Sequence, residues 1–200
     1  TLLGTGALYE PDPSRPGHRF TEREPSNIAA PGMYVALRVK LEELLAFFDN
    51  ALVLRVAYPV SSDLDARGLL GKLARFPRVD AVAPSVTVMA DLFPLIPELA
   101  RRRVTGPVNF VNRGGAPYAE LVAALRARAP CGWAGPAISG EAPARPAPEL
   151  DVAHLAASCG REVPEAMASL RRIIAGLDPA AFDALGQPRA AERSRSPRRL

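Results

Sequence analysis

The sequence predicts an α/β fold built on a parallel sheet. Three observations carry that prediction. A short apolar strand, a long polar loop, an amphipathic helix and a second apolar strand follow one another over residues 2–57, which is one half of a parallel α/β unit. Short strand and helix patterns then continue to alternate as far as residue 128. Hydrophobic residues make up 48% of the 200-residue chain, ample for a core of one large domain or a domain and a half.

The elements follow in order. Residues 2–8 form an apolar run that predicts the end of a buried strand. Residues 10–32 hold five prolines, from Pro11 to Pro31, and predict an ordered surface loop. A helix is predicted over 33–49, because Met33, Leu37, Leu41, Leu44 and Phe48 recur at three- and four-residue steps and Leu45 widens the stripe. Residues 51–57 predict a strand buried on both faces and interrupted by Arg55. After a loop at 59–68 come a short helix at 69–76, a strand around Val86–Val88 and a helix at 91–103, whose three closing arginines suit the C-terminal dipole. A strand at 106–111 and a helix at 117–128 follow. The proline-rich stretch 130–148 predicts irregular chain. Asp151 is placed to cap a helix at 152–159, and Met167, Leu170, Ile173 and Ile174 define the apolar face of a last helix at 164–175.

Composition excludes several function classes. Cys131 and Cys159 make no disulfide framework, and no Cys/His cluster has zinc spacing, which fits a reducing, cytoplasmic setting. No apolar run approaches the ~18 residues of a membrane span. The net charge is +4, and residues 188–200 hold five arginines against one glutamate, so that tail carries the whole excess and the body is neutral. A neutral body argues against a nucleic-acid-binding face. The tail itself is an Arg/Ser low-complexity segment expected to be disordered over 176–200. The chain opens at Thr1 within an apolar run and without Met, which suggests part of a longer product.

Most motif candidates fail on context. Gly4-Thr5-Gly6 lacks the third glycine, since position 9 is Tyr, and a proline-rich loop follows where a dinucleotide fingerprint needs a helix N-terminus. Gly68-Leu69-Leu70-Gly71-Lys72 lacks the Walker spacing, and His18 and His154 have no partner at a telling spacing. Tyr34 and Arg38 are different. They stand four apart on the 33–49 helix, hence on one face. A cation beside a phenol favours the phenolate, which a proton-transferring tyrosine requires.

The order of several segments is more specific than any one of them. Thr5-Gly6-Ala7-Leu8-Tyr9-Glu10 is followed by Phe20-Thr21-Glu22, then by the helix from Tyr34 to Leu45 with its Leu41-Glu42-Glu43-Leu44-Leu45. Leu54-Arg55-Val56, Pro59-Val60-Ser61-Ser62-Asp63-Leu64, Gly106-Pro107-Val108-Asn109-Phe110 and Arg145-Pro146 with Leu150-Asp151 come next. In this order they resemble the C-terminal two thirds of the dTDP-4-dehydrorhamnose reductase family, and in particular its eukaryotic branch, in which one chain is both 3,5-epimerase and 4-keto-reductase. The likeness extends from residue 1 to about 175.

The resemblance implies an extended short-chain dehydrogenase/reductase fold. Residues 1–60 would then be the C-terminal part of a Rossmann-like NAD(P)-binding domain lacking its N-terminal strands. Residues 61–175 would be a substrate lobe, with strand 106–111 returning to the sheet. The family's chemistry is reduction of a dTDP- or UDP-4-keto-6-deoxyhexose by NADP- or NAD-borne hydride, with a homodimer among its assemblies. Carried over, Tyr34 would be the acid that protonates the C4 oxygen, Thr5 the hydroxyl that polarises it, and Arg38 the cation at the position of the family's lysine. Pro59 and Val60 would approach the nicotinamide, while Trp133 and Arg145 would meet the base and phosphates of the sugar nucleotide. Bland readings stand beside these: Thr5 as a strand end, Trp133 as core, Arg145 as a loop cation. Two departures bear on activity. The glycine-rich strand–turn–helix is not in this chain, and arginine does not replace lysine conservatively, because its planar fork differs in reach and hydrogen bonding. An enzyme and a non-catalytic sugar-nucleotide-binding module are therefore both open readings.

Overall fold

In the computed structural model, residues 1–130, 133–141 and 147–183 are described. Three apolar segments make the main sheet. Strand β1 (Leu2–Thr5) leads into the proline-rich loop, which contributes only the two-residue β2 (Arg19–Phe20) before helix α1 (Met33–Leu45). Strand β3 (Leu52–Val56) follows, then β4 (Pro59–Val60) and helix α2 (Leu69–Arg75). Short strands β5 (Arg78–Val79) and β6 (Thr87–Val88) lead to α3 (Met89–Leu92), a 3-10 turn at Phe93–Leu95 and α4 (Ile96–Arg101). Strand β7 (Gly106–Asn109) returns to the sheet, and α5 (Tyr118–Arg128), β8 (Ala137–Ile138), β9 (Glu149–Leu150), α6 (Ala153–Cys159), α7 (Ala166–Ala175) and α8 (Ala180–Asp183) complete the described chain.

The sheet order is β1-β3-β7 and every pairing is parallel, with Leu3 beside Leu54 and Leu54 beside Val108. Parallel neighbours require crossovers. Helix α1 makes the first, and the segment from β4 to α4 makes the second. Strand β3 is paired on both sides, which accounts for its apolar sequence, whereas one edge of β1 is unpaired in this sheet. The three short pairs β2–β9, β4–β6 and β5–β8 are parallel as well and tie the loops to the lobe.

Two apolar cores result. One lies on the sheet, where Leu54, Val108 and Phe110 meet Leu92, Leu99 and Leu155 from α3, α4 and α6. The other fills the lobe, where Leu70 and Leu73 of α2, Leu121 and Leu125 of α5, and Leu170 and Ile174 of α7 pack together. Helix α7 enters the lobe through a strong N-cap: Glu165 accepts hydrogen bonds from the N–H groups of Met167 (3.1 Å) and Ala168 (2.5 Å).

Several expectations shift in detail. The helix expected at 91–103 is broken in three, because Pro94 and Pro97 each withhold an N–H at the start of a new turn. Asp151 does act at the next helix, accepting from the Ala153 N–H at 2.8 Å, although the helix begins at Ala153 rather than 152. Residues 137–138 pair with β5 inside the stretch expected to be irregular. Ordered chain runs beyond 176: α8 delivers Phe182 into the lobe core, 4% exposed. Most of the Arg/Ser tail expectation, from residue 184 on, lies outside the described residues. The largest difference is at α1, which is helical as expected but has no buried residue.

Candidate active site

Ligands of open parallel sheets sit outside the carboxyl ends of the strands. Thr5 closes β1 at that end. It is 5% exposed, and its Oγ1 accepts from the Ala7 N–H at 3.2 Å, which turns the chain away from the strand. Gly6 permits that turn. A Cβ there would stand 2.7 Å from Leu150 Cδ1 and 3.2 Å from Ala57 Cβ, so a side chain would crowd the strand end and turn the Leu150 side chain aside.

Tyr34 begins α1, and Arg38 follows one turn later. The structure brings these two together: the Arg38 guanidinium carbon lies 5.2 Å from the Tyr34 ring centroid, and Arg38 Nη1 donates to the Leu3 carbonyl of β1 at 3.3 Å. The cation therefore stacks on the face of the ring and anchors to the strand. The Tyr34 ring is 57% exposed. Thr5, Tyr34 and Arg38 thus share one strand–helix unit, tied together by the Arg38 bond to β1.

One more turn along the same helix stands Glu42, which sequence reasoning did not single out. Its carboxylate takes a forked ion pair from Arg55 of β3, with Nε at 3.1 and 3.0 Å and Nη2 at 2.7 Å. The remaining arm of Arg55, Nη1, donates to Tyr9 Oη at 2.8 Å. Tyr9 Oη in turn lies 3.1 and 2.9 Å from the carbonyls of Thr21 and Glu24, and its ring stacks on Phe20 at 4.4 Å. Burial pushes the Tyr9 phenol pKa up despite the neighbouring Arg55. This network fixes α1, β3 and the long loop relative to one another. Its sequence signals were a charge inside an apolar strand, which demands a partner, and a carboxylate four residues after Arg38 on the same helix face.

The other candidates are placed less directly. Tyr58, just before Pro59, adopts φ +38°, a region bulky residues rarely occupy, and it turns the chain at the end of β3. Pro59 is exposed, but Val60 is 1% exposed and its side chain belongs to the lobe core, which leaves its backbone for any ligand contact. Tyr118 is burial-raised in pKa, and nearby Tyr58 pushes it further up. Trp133 packs edge-on against Phe182, with centroids 5.4 Å apart, which is the core role. Arg145 lies outside the described residues. His18, isolated in sequence, gains partners in space: its Nε2 is 2.8 Å from Glu24 Oε1 and its ring meets Phe20 edge-on. That arrangement staples the loop. Among the described residues no group of three His, Cys, Asp or Glu could hold a metal ion, and no helix is long and apolar enough to cross a membrane.

Comparison with known proteins gives these residues a context. No family model matches the chain. A bifunctional dTDP-4-dehydrorhamnose 3,5-epimerase/dTDP-4-dehydrorhamnose reductase of Arabidopsis thaliana is 34% identical over 126 residues, 61% of this chain and 42% of that protein. A trifunctional UDP-glucose 4,6-dehydratase/UDP-4-keto-6-deoxy-D-glucose 3,5-epimerase/UDP-4-keto-L-rhamnose-reductase of the same plant is 34% identical over 128 residues, 62% of this chain and 19% of that protein. The chain spans less than half the length of the curated relatives it matches. Among solved structures, the L780 UDP-rhamnose synthase of Acanthamoeba polyphaga mimivirus superposes with a TM-score of 0.74 at 22% identity, covering 86% of this chain and 63% of that one. The dTDP-4-dehydrorhamnose reductase of Bacillus anthracis, solved in complex with NADP, gives 0.64 at 17% identity, covering 86% of this chain and 63% of that one. The fold is thus the Rossmann-like α/β fold of these solved structures, and part of the chain is similar in sequence to the plant rhamnose-synthesis enzymes.

Proposed function

We propose that this chain supplies the catalytic tyrosine helix and the substrate lobe of an NAD(P)H-dependent nucleotide-sugar 4-keto-reductase of the rhamnose-synthesis type. The single observation that carries the reading is the Tyr34–Arg38 stack. It stands on a helix beside the strand that ends in Thr5, in a chain 34% identical over 126 residues to a plant rhamnose-synthesis enzyme.

In this reading Tyr34 Oη gives its proton to the C4 oxygen of a 4-keto sugar nucleotide, and the Thr5 hydroxyl orients that oxygen. When bound, the nicotinamide cofactor supplies the hydride that reaches C4. Arg38 holds the tyrosine ring in place and offers a permanent cation beside the cofactor's ribose. The residues present fit only one end of such a cofactor. Tyr34 and Arg38 suit the nicotinamide end, but β1 is followed by a turn and a proline-rich loop, so this chain has no helix N-terminus there for the pyrophosphate. Paired dTDP or UDP sugar nucleotides fit the lobe reading equally, and 3,5-epimerase activity is a further property that the bifunctional relatives carry in their names.

A second reading, a binding module without catalysis, is favoured by Arg38 standing where the resemblance implies lysine. One experiment separates the two. With a glycine-rich cofactor-binding half of a plant relative joined upstream, NADPH oxidation by a dTDP- or UDP-4-keto-6-deoxyhexose is followed for the wild type, Tyr34→Phe and Arg38→Lys, alongside calorimetric titration with the sugar nucleotide. The reductase reading expects turnover that Tyr34→Phe abolishes and Arg38→Lys raises about tenfold, equivalent to about 1.4 kcal/mol. Binding of the sugar nucleotide with no turnover in any of the three selects the binding module.

A further inference from the structure

We propose that Glu42 and Arg55 are a positioning pair for Tyr34: they set where α1 lies on β1, and so where the phenol stands relative to Thr5. The pair's catalytic purpose rests on the reductase reading; its geometry does not. Helix α1 has few other means of holding its place. It buries no residue, its N-cap Gly32 makes no side-chain bond, and Val35 and Val39 meet the sheet core only half-buried. Apolar contact is non-directional, so it resists sliding and turning weakly. A slip of one residue moves a helix by ~1.5 Å and turns it by about 100°. A reacting hydroxyl does not tolerate that, since a displacement of about 1 Å can cost on the order of a hundredfold in rate.

Directional contacts come from Arg38, on the Leu3 carbonyl at 3.3 Å, and from Glu42, on Arg55 at 2.7 to 3.1 Å. The Arg38 bond is the longer and weaker of the two. Tyr34, Arg38 and Glu42 follow at four-residue steps and fall within about 80° of one another around the helix. Glu42 reaches Arg55 across β1, where Gly4 stands opposite Arg55 in the strand register. A Cβ on Gly4 would meet Val53 Cγ1 at 2.8 Å and Glu42 Oε1 at 3.4 Å, so the glycine leaves that passage open. The first glycine of Gly4-Thr5-Gly6, a run that fails as a dinucleotide fingerprint, thereby gains a use. Thr5 is the next residue of the same strand, so one fastening sets the helix against the strand that carries the other candidate hydroxyl. Arg55 itself is fixed. It is 6% exposed on the central strand, and its Nη1 donates at 2.8 Å to Tyr9 Oη, whose ring stacks on Phe20.

A counter-ion for a buried cation would account for Glu42 if stability were all the pair supplied. Yet a buried ion pair is often replaced by apolar residues of similar volume with no loss of stability. What apolar side chains do not supply is direction. Arg55 aims Nε and Nη2 at one carboxylate, and this planar fork fixes both the distance and the angle of approach. A lysine at 55 would keep the charge and lose the fork. Fastening for stability and fastening for position are therefore separable by substitution.

The first arm of the test uses the full 200-residue chain and needs no turnover. Nitroxide labels are placed at Met33→Cys, beside Tyr34, and at Thr105→Cys, just ahead of β7, with Cys131→Ser and Cys159→Ala; both label sites are exposed. Double electron–electron resonance should give one narrow distance. In Glu42→Leu/Arg55→Met the urea midpoint should equal or exceed the parent's, while the distance broadens or shifts by about 1.5 Å or more. Arg55→Lys should disturb the distance with unchanged far-UV circular dichroism, and it carries the test alone if the double variant does not fold. The second arm places the same substitutions in the chain joined to a cofactor-binding half. There kcat should fall at least about tenfold with KM within about twofold, because the lobe is untouched. A distance that matches the parent's in both variants shows a counter-ion only and overturns the proposal, as does a disturbed distance with unchanged kcat. A disturbed distance in a joined protein with no turnover even before substitution supports the positioning and removes the reductase reading alone.

Discussion

Helices α1 and α7 carry similar apolar stripes and meet opposite fates. In α7 the stripe of Met167, Leu170, Ile173 and Ile174 is buried in the lobe, between α5 and the sheet-side strand β6. In α1 the stripe of Met33, Leu37, Leu44 and Phe48 faces water, and the helix meets the protein through Arg38 on a β1 carbonyl and Glu42 on a buried guanidinium. The comparison teaches that periodicity reveals a sticky face without saying what it adheres to. It also shows that a helix can be fastened by charge while its apolar side faces water. In α1 the charged fastening lies on the same helix face as the proposed catalytic tyrosine, so positioning of Tyr34 depends on an ion pair.

The widest break in this comparison comes from Glu42→Ala. It leaves Arg55 buried, 6% exposed, without its carboxylate, and removing one partner of such a pair costs about 3–5 kcal/mol. Urea unfolding should show this loss. A loss under about 1 kcal/mol would mean that Tyr9 and water compensate the charge. Next, Leu170→Ala in the fully buried stripe of α7 should cost about 2–5 kcal/mol by the same assay, from lost burial and the cavity left behind. Glu165→Ala removes the N-cap of α7 and should cost about 1 kcal/mol.

Acid sharpens the contrast on the α1 side, where the long loop abuts the Arg55 network. Glu24 is held down from 4.5 to about 2, first by the Thr21 N–H, against the opposing cost of burial, and then by His18 and Arg15. A depressed carboxylate stabilises the fold fully above its unfolded pKa and loses that contribution as pH falls through the folded value. The loss attributable to Glu24 should therefore fall between about pH 4.5 and pH 2, and Glu24→Gln should flatten that limb of a stability–pH curve. An unchanged acid limb in the variant would assign the effect to other groups. The smallest effect is expected at Leu37→Ala. Its exposed side chain should lose little, so stability should stay within about 0.5 kcal/mol of wild type by urea unfolding, although the same change at Leu170 is severe.

Residue order alone revealed the alternation of strands and helices, the parallel character of the sheet and the apolar face of α7, because local periodicity and proline placement report on backbone state whatever the neighbours do. It also paired Tyr34 with Arg38, since four residues of helix place two side chains on one face. The rest was decided by tertiary packing. Whether Arg38 meets the hydroxyl or the ring of Tyr34 depends on the Leu3 carbonyl that holds the same guanidinium. Trp133 became core when Phe182, 49 positions away, came to rest against it. Arg55 and Glu42, unremarkable alone, became the fastening of α1 only when β3 and α1 were brought side by side. These outcomes depend on partners distant in the chain, and no local pattern encodes which of many complementary side chains will arrive.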